Sequence, residues 1–560
     1  MTLRRAIAAL GCLIGLACAR QTPAAPLAAA GAGGFDLRSQ VLRNRIAYIP
    51  PQCFTQLADG PELRAQNPCY VCHADAPEPN MASQPELQLA YDFPQVQAGL
   101  PAQNPWRNLF RDRRAELAQI SDAEVQAYVA QDNYPELAAR LSQLTASWDA
   151  DRNGRWDGYR PDAAFWFDAQ GFDRAPDGRP TGYRVFAYYP LPGAFMPANG
   201  SFDDVMIRLP RAFRSDAQGR EDLAMYAINL AIAEALIRRA DVSIDPADER
   251  ALGVDLDRDG QLTTASVVRY AYRPREPESM SWVGAARGQR LSPGLFPEGT
   301  ELLHSVRYLQ RDARGALVPA PRMKELRYAR KQRWVGWAEL ADGAQREAKE
   351  AALNPDRPEQ FAGDAERGLH NALGWVYQGF IEDARGELRP QSHEETVFCM
   401  GCHGGLSATE DGSFAFARKL QTGPARGWYP LRWGEGTPLP DPLRQDGEPE
   451  YASYLRANRE GDGYRSNSEI RARFFDAAGQ PSTTAFAELA RDVSTLLLPS
   501  PERALALDKA YWLIVREQSF TAGRDAVLAP HTRVFRELVP GTGTGIQHAE
   551  PAPRLAPAAL

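Results

Sequence analysis

Cys69-Tyr70-Val71-Cys72-His73 is written once near the N-terminus and again as Cys399-Met400-Gly401-Cys402-His403, and these two stretches decide how the chain is read. A C-x-x-C-H run sets two thiols one helical turn apart, so that they can add to the two vinyl groups of a haem. The histidine that follows points its imidazole at the iron. Each copy predicts one covalently held haem. The competing account, zinc knuckles or C-x-x-C redox disulfides, asks for a second ligand pair near each motif, whereas each pair already has its own adjacent histidine.

With these motifs the chain resembles the c-type cytochromes, and specifically a dihaem one. The resemblance implies that Cys69 and Cys72 form thioethers to one haem with His73 as proximal ligand, and that Cys399, Cys402 and His403 do the same for a second. It covers the two motifs and no more. They begin 330 residues apart, at 69 and 399, farther than a tandem pair of small cytochrome domains needs. The dihaem peroxidase family sets its motifs closer together in a shorter chain, so its residue roles are not carried over.

The N-terminus supports the same reading on an independent line. Arg4 and Arg5 precede the apolar run Ala6 to Ala17, which is too short to span a bilayer and has the charged start and apolar middle of a secretory signal. An exported chain is expected, and the c-type resemblance implies haem attachment outside the cytoplasm. Cys18 ends the run and is the expected lipidation site of a lipoprotein; ordinary cleavage after Ala17-Cys18-Ala19 is the alternative. Four of the 7 Cys belong to the motifs and Cys12 and Cys18 to the signal, which leaves Cys53, read as a small buried apolar residue.

In 560 residues, 44% are hydrophobic, enough for real cores, and the net charge of -7 gives no reason to expect nucleic acid. The basic run Lys324 to Trp334 is read first as a solvated face and second as a haem-propionate or redox-partner contact. The expected fold class is mixed α and β and multidomain, with mostly helical haem-binding regions at both ends flanking a mixed α+β middle. The corresponding divisions are a signal segment (1–18), a flexible linker (19–34), a first haem domain (35–145), an α+β domain with calcium-like loops (146–346), a second haem domain (347–539) and a disordered tail (540–560).

Two loops in the middle look built for a hard cation. Asp255, Asp257 and Asp259 with Gly260 and Gln261 reproduce the first half of a calcium-loop pattern, and Asp149, Asp151, Asn153, Gly154 and Asp157 repeat it. Neither has Glu at the twelfth position, where Ser266 and Arg160 stand, so a bound Ca2+ has to recruit another ligand. For the sixth position of each iron the expected ligands are His304, on an apolar strand, and His370, on a helix Ala365 to Ile381. The expected function is one-electron transfer in the cell envelope, with a redox protein or envelope complex as partner and membrane contact through the lipid. The alternatives are a peroxidase- or oxygenase-like enzyme with one five-coordinate haem, and a lipid-anchored subunit of an envelope redox complex. The expected location is the periplasm or the outer-membrane or cell surface.

Overall fold

Every residue of Trp375–Glu382, WVYQGFIE, is buried, and a segment wet on neither face and rich in β-branched and aromatic side chains is a central strand. It belongs to a nine-stranded sheet. The strands are β1 (Phe172–Arg174), β2 (Pro180–Phe186), β3 (Phe202–Arg208), β4 (Glu301–Arg311), β5 (Leu317–Lys331), β6 (Gly363–Asp364), β7 (Gly368–His370), β8 (Trp375–Glu382) and β9 (Leu388–Pro390). Their order across the sheet is β1-β2-β3-β4-β5-β8-β7-β6, with β9 added to β8, and all pairs are antiparallel.

The computed structural model describes residues 37–57, 68–74, 88–89 and 102–539, the last with gaps at 195–196, 274, 277–278, 355–358, 406–408, 422–425, 434–437 and 460–465. It also describes 543–544, 546, 548–550 and 552–554. The signal segment, Cys18 and the linker lie outside these residues. From Gly34 on, the chain is one compact unit.

The expectation of mostly helical regions at both ends is corrected. The nine strands lie between 172 and 390 in one antiparallel sheet, with a separate antiparallel pair at Val242–Asp248 and Thr264–Val268, and the four from Gly363 on complete the sheet beside the second motif. The helix expected over 365–381 is absent: the segment forms β7 and β8, joined by a turn in which glycine carries positive φ. Gly368 and Gly374 take φ of 98° and 83°, where only glycine is at ease, and turn the chain into and out of β7. A Cβ at Gly379 would sit 2.3 Å from the Gln391 side chain. His370 therefore ends a strand, paired with Val376, and is exposed.

Elsewhere local signals hold. Ser121 caps Asp122–Val129 in a reciprocal box with Glu124. The helix α2 (Leu223–Arg238) starts on Asp222, whose carboxylate accepts from the Ala224 and Met225 amides, and ends on Arg239 with φ 50°. It is buried along most of its length because it packs against the sheet face that carries Phe186 and Ile207. The opposite face, with Tyr183, Val185, Met206 and Leu303, is covered by Leu137, Leu141, Trp148 and Trp156. Helix Pro501–Glu517 packs Ala510 and Ile514 near Tyr308 and Ile381.

One buried ion pair ties the sheet to the segment after the second motif. Lys331 at the end of β5 reaches Asp411 at 2.5 Å, both side chains fully buried, and donates to the Leu373 carbonyl at 2.8 Å. Asp411 also accepts from the Phe296 amide at 2.8 Å. Burial pushes the lysine down and the carboxyl up, the expected direction for charges that desolvation penalises. Removing one partner leaves the other charge stranded. Lys331→Met should lower unfolding stability by about 3–5 kcal/mol, and adding Asp411→Asn should recover a large part of it. Urea denaturation of both variants checks this.

Candidate functional site

Three neighbouring strands lay out the floor of the site. In register across the sheet, Val205 of β3 faces His304 of β4, His304 faces Arg327 of β5, and Arg327 faces Gly379 of β8. Two residues along, Leu302, Ala329 and Tyr377 form the next row on the same face, as the two-residue period of a strand requires. Both C-x-x-C-H motifs stand over this floor. Cys69, Cys72, His73, Cys399, Cys402 and His403 all line one cavity, together with His304, Arg327 and Tyr377. Its volume is about 240 Å3, it opens to solvent, and most of its wall is apolar.

The first motif forms the short helix α1 (Cys69–Cys72), closed by the His73 amide donating to the Cys69 carbonyl at 2.9 Å. Gln88 donates to the His73 carbonyl at 2.6 Å. The second motif is the last turn of α3 (His393–His403). A capping box between Ser392 and Glu395 starts that helix, and Arg389 of β9 grips Glu395 with two bonds of 2.8 and 3.0 Å, so the sheet fixes where α3 points. Gly401 is needed there, since a Cβ would fall 1.8 Å from the Tyr48 carbonyl.

His403 is held in one orientation. Its Nδ1 lies 2.7 Å from the Gly412 carbonyl, which also accepts from the Tyr377 hydroxyl at 2.6 Å, and its ring lies 5.1 Å from that of Tyr377. Asn371 donates to its backbone carbonyl at 2.7 Å. A carbonyl at Nδ1 makes that nitrogen the donor and leaves Nε2 as a lone-pair base, the state in which imidazole binds a metal. Burial pushes the His403 pKa down to about 4, so the ring is neutral near pH 7.

Burial raises the thiols as well, Cys69 to about 12 and Cys402 to about 11. They do not gather around one point. Among the described residues, the groups of three or more His, Cys, Asp or Glu with ligand atoms within 4.8 Å of one another are two acidic clusters, and neither contains a cysteine. Cys53, expected as a small buried apolar residue, is half-buried in the same cavity wall, near enough to Cys69, Cys72 and Cys402 for their charges to bear on it.

His304 reaches the cavity as a sixth ligand would have to. Its Nε2, however, faces the buried Asp203 carboxylate at 2.8 Å, and the Tyr188 hydroxyl donates to the same oxygen. His370 is not among the cavity-lining residues. The basic run Lys324 to Trp334 turns out to be mostly β5, with Lys324 and Lys331 buried in ion pairs or hydrogen bonds inside the protein. Arg327 from that run lines the cavity, paired to Glu325 at 3.0 Å, and Arg524 reaches the same carboxylate at 2.8 Å. The two arginines hold Glu325 down to about 2 against the burial that would raise it. Tyr188, Asp203, Tyr377 and Arg418 carried no sequence signal, because register and tertiary packing alone bring them here.

Each calcium-like loop acquires a buried glutamate from outside the motif. Asp255 and Asp257 meet Glu249, and Asp149 and Asp151 meet Glu366 from the segment between β6 and β7. Both glutamates are fully buried and organise their loops. Glu249 accepts from the Leu256 and Thr263 amides at 2.5 and 2.9 Å, Glu366 from those of Ala150 and Asp157 at 2.8 Å each. Asn153, Asp157, Asp259 and Gln261 fall outside the clusters. The Asn153 amide donates to Asp151 and Asp157, and Asp259 accepts from the Gln261 amide.

Comparison with known proteins places the chain. The profile of a protein family whose description ends in "-like lipoprotein" matches residues 37–488, and the chain belongs to that lipoprotein family. It is an exported protein anchored to a membrane of the cell envelope. A protein of Aquifex aeolicus (strain VF5), named "Uncharacterized lipoprotein", is 30% identical over 546 residues, covering 88% of this chain and 89% of the relative. No solved structure matches it.

Proposed function

We propose that this lipoprotein is a dihaem c-type cytochrome that moves single electrons within the cell envelope. The observation that carries the reading is convergence: two C-x-x-C-H motifs 330 residues apart line one apolar cavity, with His403 already pinned through Nδ1. Bound haem would supply a reversible one-electron couple. The chain's own residues do the rest. Cys69 with Cys72 and Cys399 with Cys402 would hold the two groups, His73 and His403 would face the irons, and the apolar wall would keep water away.

The cavity is narrower than the ~300 Å3 at which small-ligand pockets begin. Two porphyrins must therefore spread it. Arg327 and Arg418 stand in the wall as cations for propionates, each already matched by a buried carboxylate, Glu325 and Glu450.

The Tyr188–Asp203–His304 chain favours a second reading, an enzyme with one open iron face. A histidine oriented by a buried carboxylate is a proton donor and acceptor more readily than an iron ligand through its Nε2. The proposed anchor is a lipid on Cys18, with a periplasm-facing position. Intact mass of the mature protein should show two covalent haems and an acylated N-terminal Cys18, and Cys69→Ala or Cys402→Ala should leave one haem. Fewer than two haems in the wild type would sink the haem reading. Two low-spin irons that ignore CO support the carrier; a native high-spin iron with rapid peroxide turnover replaces it with the enzyme.

We also propose Ca2+ at the Glu249–Asp255–Asp257 cluster and at the Asp149–Asp151–Glu366 cluster, because three carboxylates so close repel one another unless a cation is shared. The ion's role would be structural. Chelation should lower the melting temperature, and Asp257→Ala should remove about one equivalent of bound calcium by elemental analysis. Unchanged calcium content and melting temperature in that variant would reduce the first cluster to a turn.

A further inference from the structure

A second cleft, of about 980 Å3, shares no lining residue with the cavity between the motifs. One wall is the loop 253–258 that follows the short helix Glu249–Leu252. The others are Tyr272 with the Met280–Trp282 turn, the loop 287–292, and Trp334 with Trp337. Its makeup is unlike the rest of a chain whose net charge is -7. Arg258, Arg287 and Arg290 all line it and are exposed, and none forms an ion pair among the described residues. Arg287 spends one N–H on the Gly253 carbonyl at 3.0 Å and keeps the others for a ligand, and the acidic side chain in the lining is Asp255.

The aromatic members are held in place with part of each surface still accessible. Trp337 donates its indole N–H to the Pro293 carbonyl at 3.1 Å, and Trp334 is fixed by its amide on Glu298 at 3.2 Å. Trp334, Trp337 and Tyr272 are half-buried, so ordering them on a ligand costs little. Trp337 also opens the 17-residue helix Trp337–Leu353, whose N-cap Gly336 offers no side-chain cap, and both residues line the cleft.

We infer that this cleft binds an acidic glycan, a chain of sugar rings bearing carboxylates. Guanidinium groups without carboxylates of their own select anions, and Arg matches a carboxylate through two parallel bonds. Anchored rings with accessible faces take the C–H faces of sugar rings, which a small inorganic anion could not use. The volume lies near the top of the ~300–1,000 Å3 range of ligand sites, room for more than one ring. The inference does not depend on haem.

Isothermal titration of the full-length protein with a galacturonic-acid hexasaccharide tests it, alongside tryptophan fluorescence. Saturable binding is expected, weakened at least tenfold by the double substitution Arg287→Ala and Arg290→Ala, and by Trp334→Ala, with unchanged circular dichroism in both. A neutral glucose hexasaccharide should bind at least tenfold more weakly. No binding of the acidic hexasaccharide, equal binding of the neutral one, binding that survives both variants, or equal affinity for inorganic phosphate would each overturn the assignment.

Discussion

The register that sets His304 opposite Arg327 and Arg327 opposite Gly379 is the constraint on which the site depends. Slipping any of these strands by one residue would send its side chains to the other face, where Tyr183, Val185 and Met206 already fill the core. That register also decides where the motifs meet. The second motif follows β9 by a few residues, and the Tyr48 carbonyl, in the segment 46–54 that precedes the first, lies against Gly401 of α3. Two stretches 330 residues apart share a cavity, and the second is fastened to the sheet through Arg389 and Glu395.

The fastening is done largely by buried charge. Arg389–Glu395 aligns α3, Lys331–Asp411 holds the segment behind it, Arg418–Glu450 braces the cavity wall and Lys419–Glu234 joins that wall to α2. Pairs of this kind add little net stability over apolar packing, but each is costly to break, so they penalise alternative arrangements. Directional bonds of this kind set the positions of the cavity walls. Apolar contact alone would let them drift.

Legibility in the sequence followed the range of the forces involved. Local signals were readable: the capping pair Ser121 and Glu124, and the apolar strand that carries His304. What failed was the segment around His370, where apolar spacing suggested a helix but Gly368, Gly374 and Gly379 answer to turns and close packing visible only in three dimensions. The two cluster-completing glutamates divide the same way. Glu249 stands six residues before Asp255, while Glu366 arrives from more than 200 residues beyond Asp149, a distance no loop pattern encodes. Arg327 was visible only as one member of a basic run, and Asp203 and Tyr188 as members of ordinary strand sequence, because their roles come from pairing across the sheet.

The central claim is that the two motifs serve one shared cavity, and magnetic interaction between the irons tests it most directly. Continuous-wave and pulsed electron paramagnetic resonance of the oxidised holoprotein would be compared with the single-haem variants Cys69→Ala and Cys402→Ala. The account predicts dipolar broadening and faster relaxation in the wild type that neither variant shows. A wild-type spectrum equal to the sum of the two variants, with unchanged relaxation, would place the haems in separate environments and contradict it.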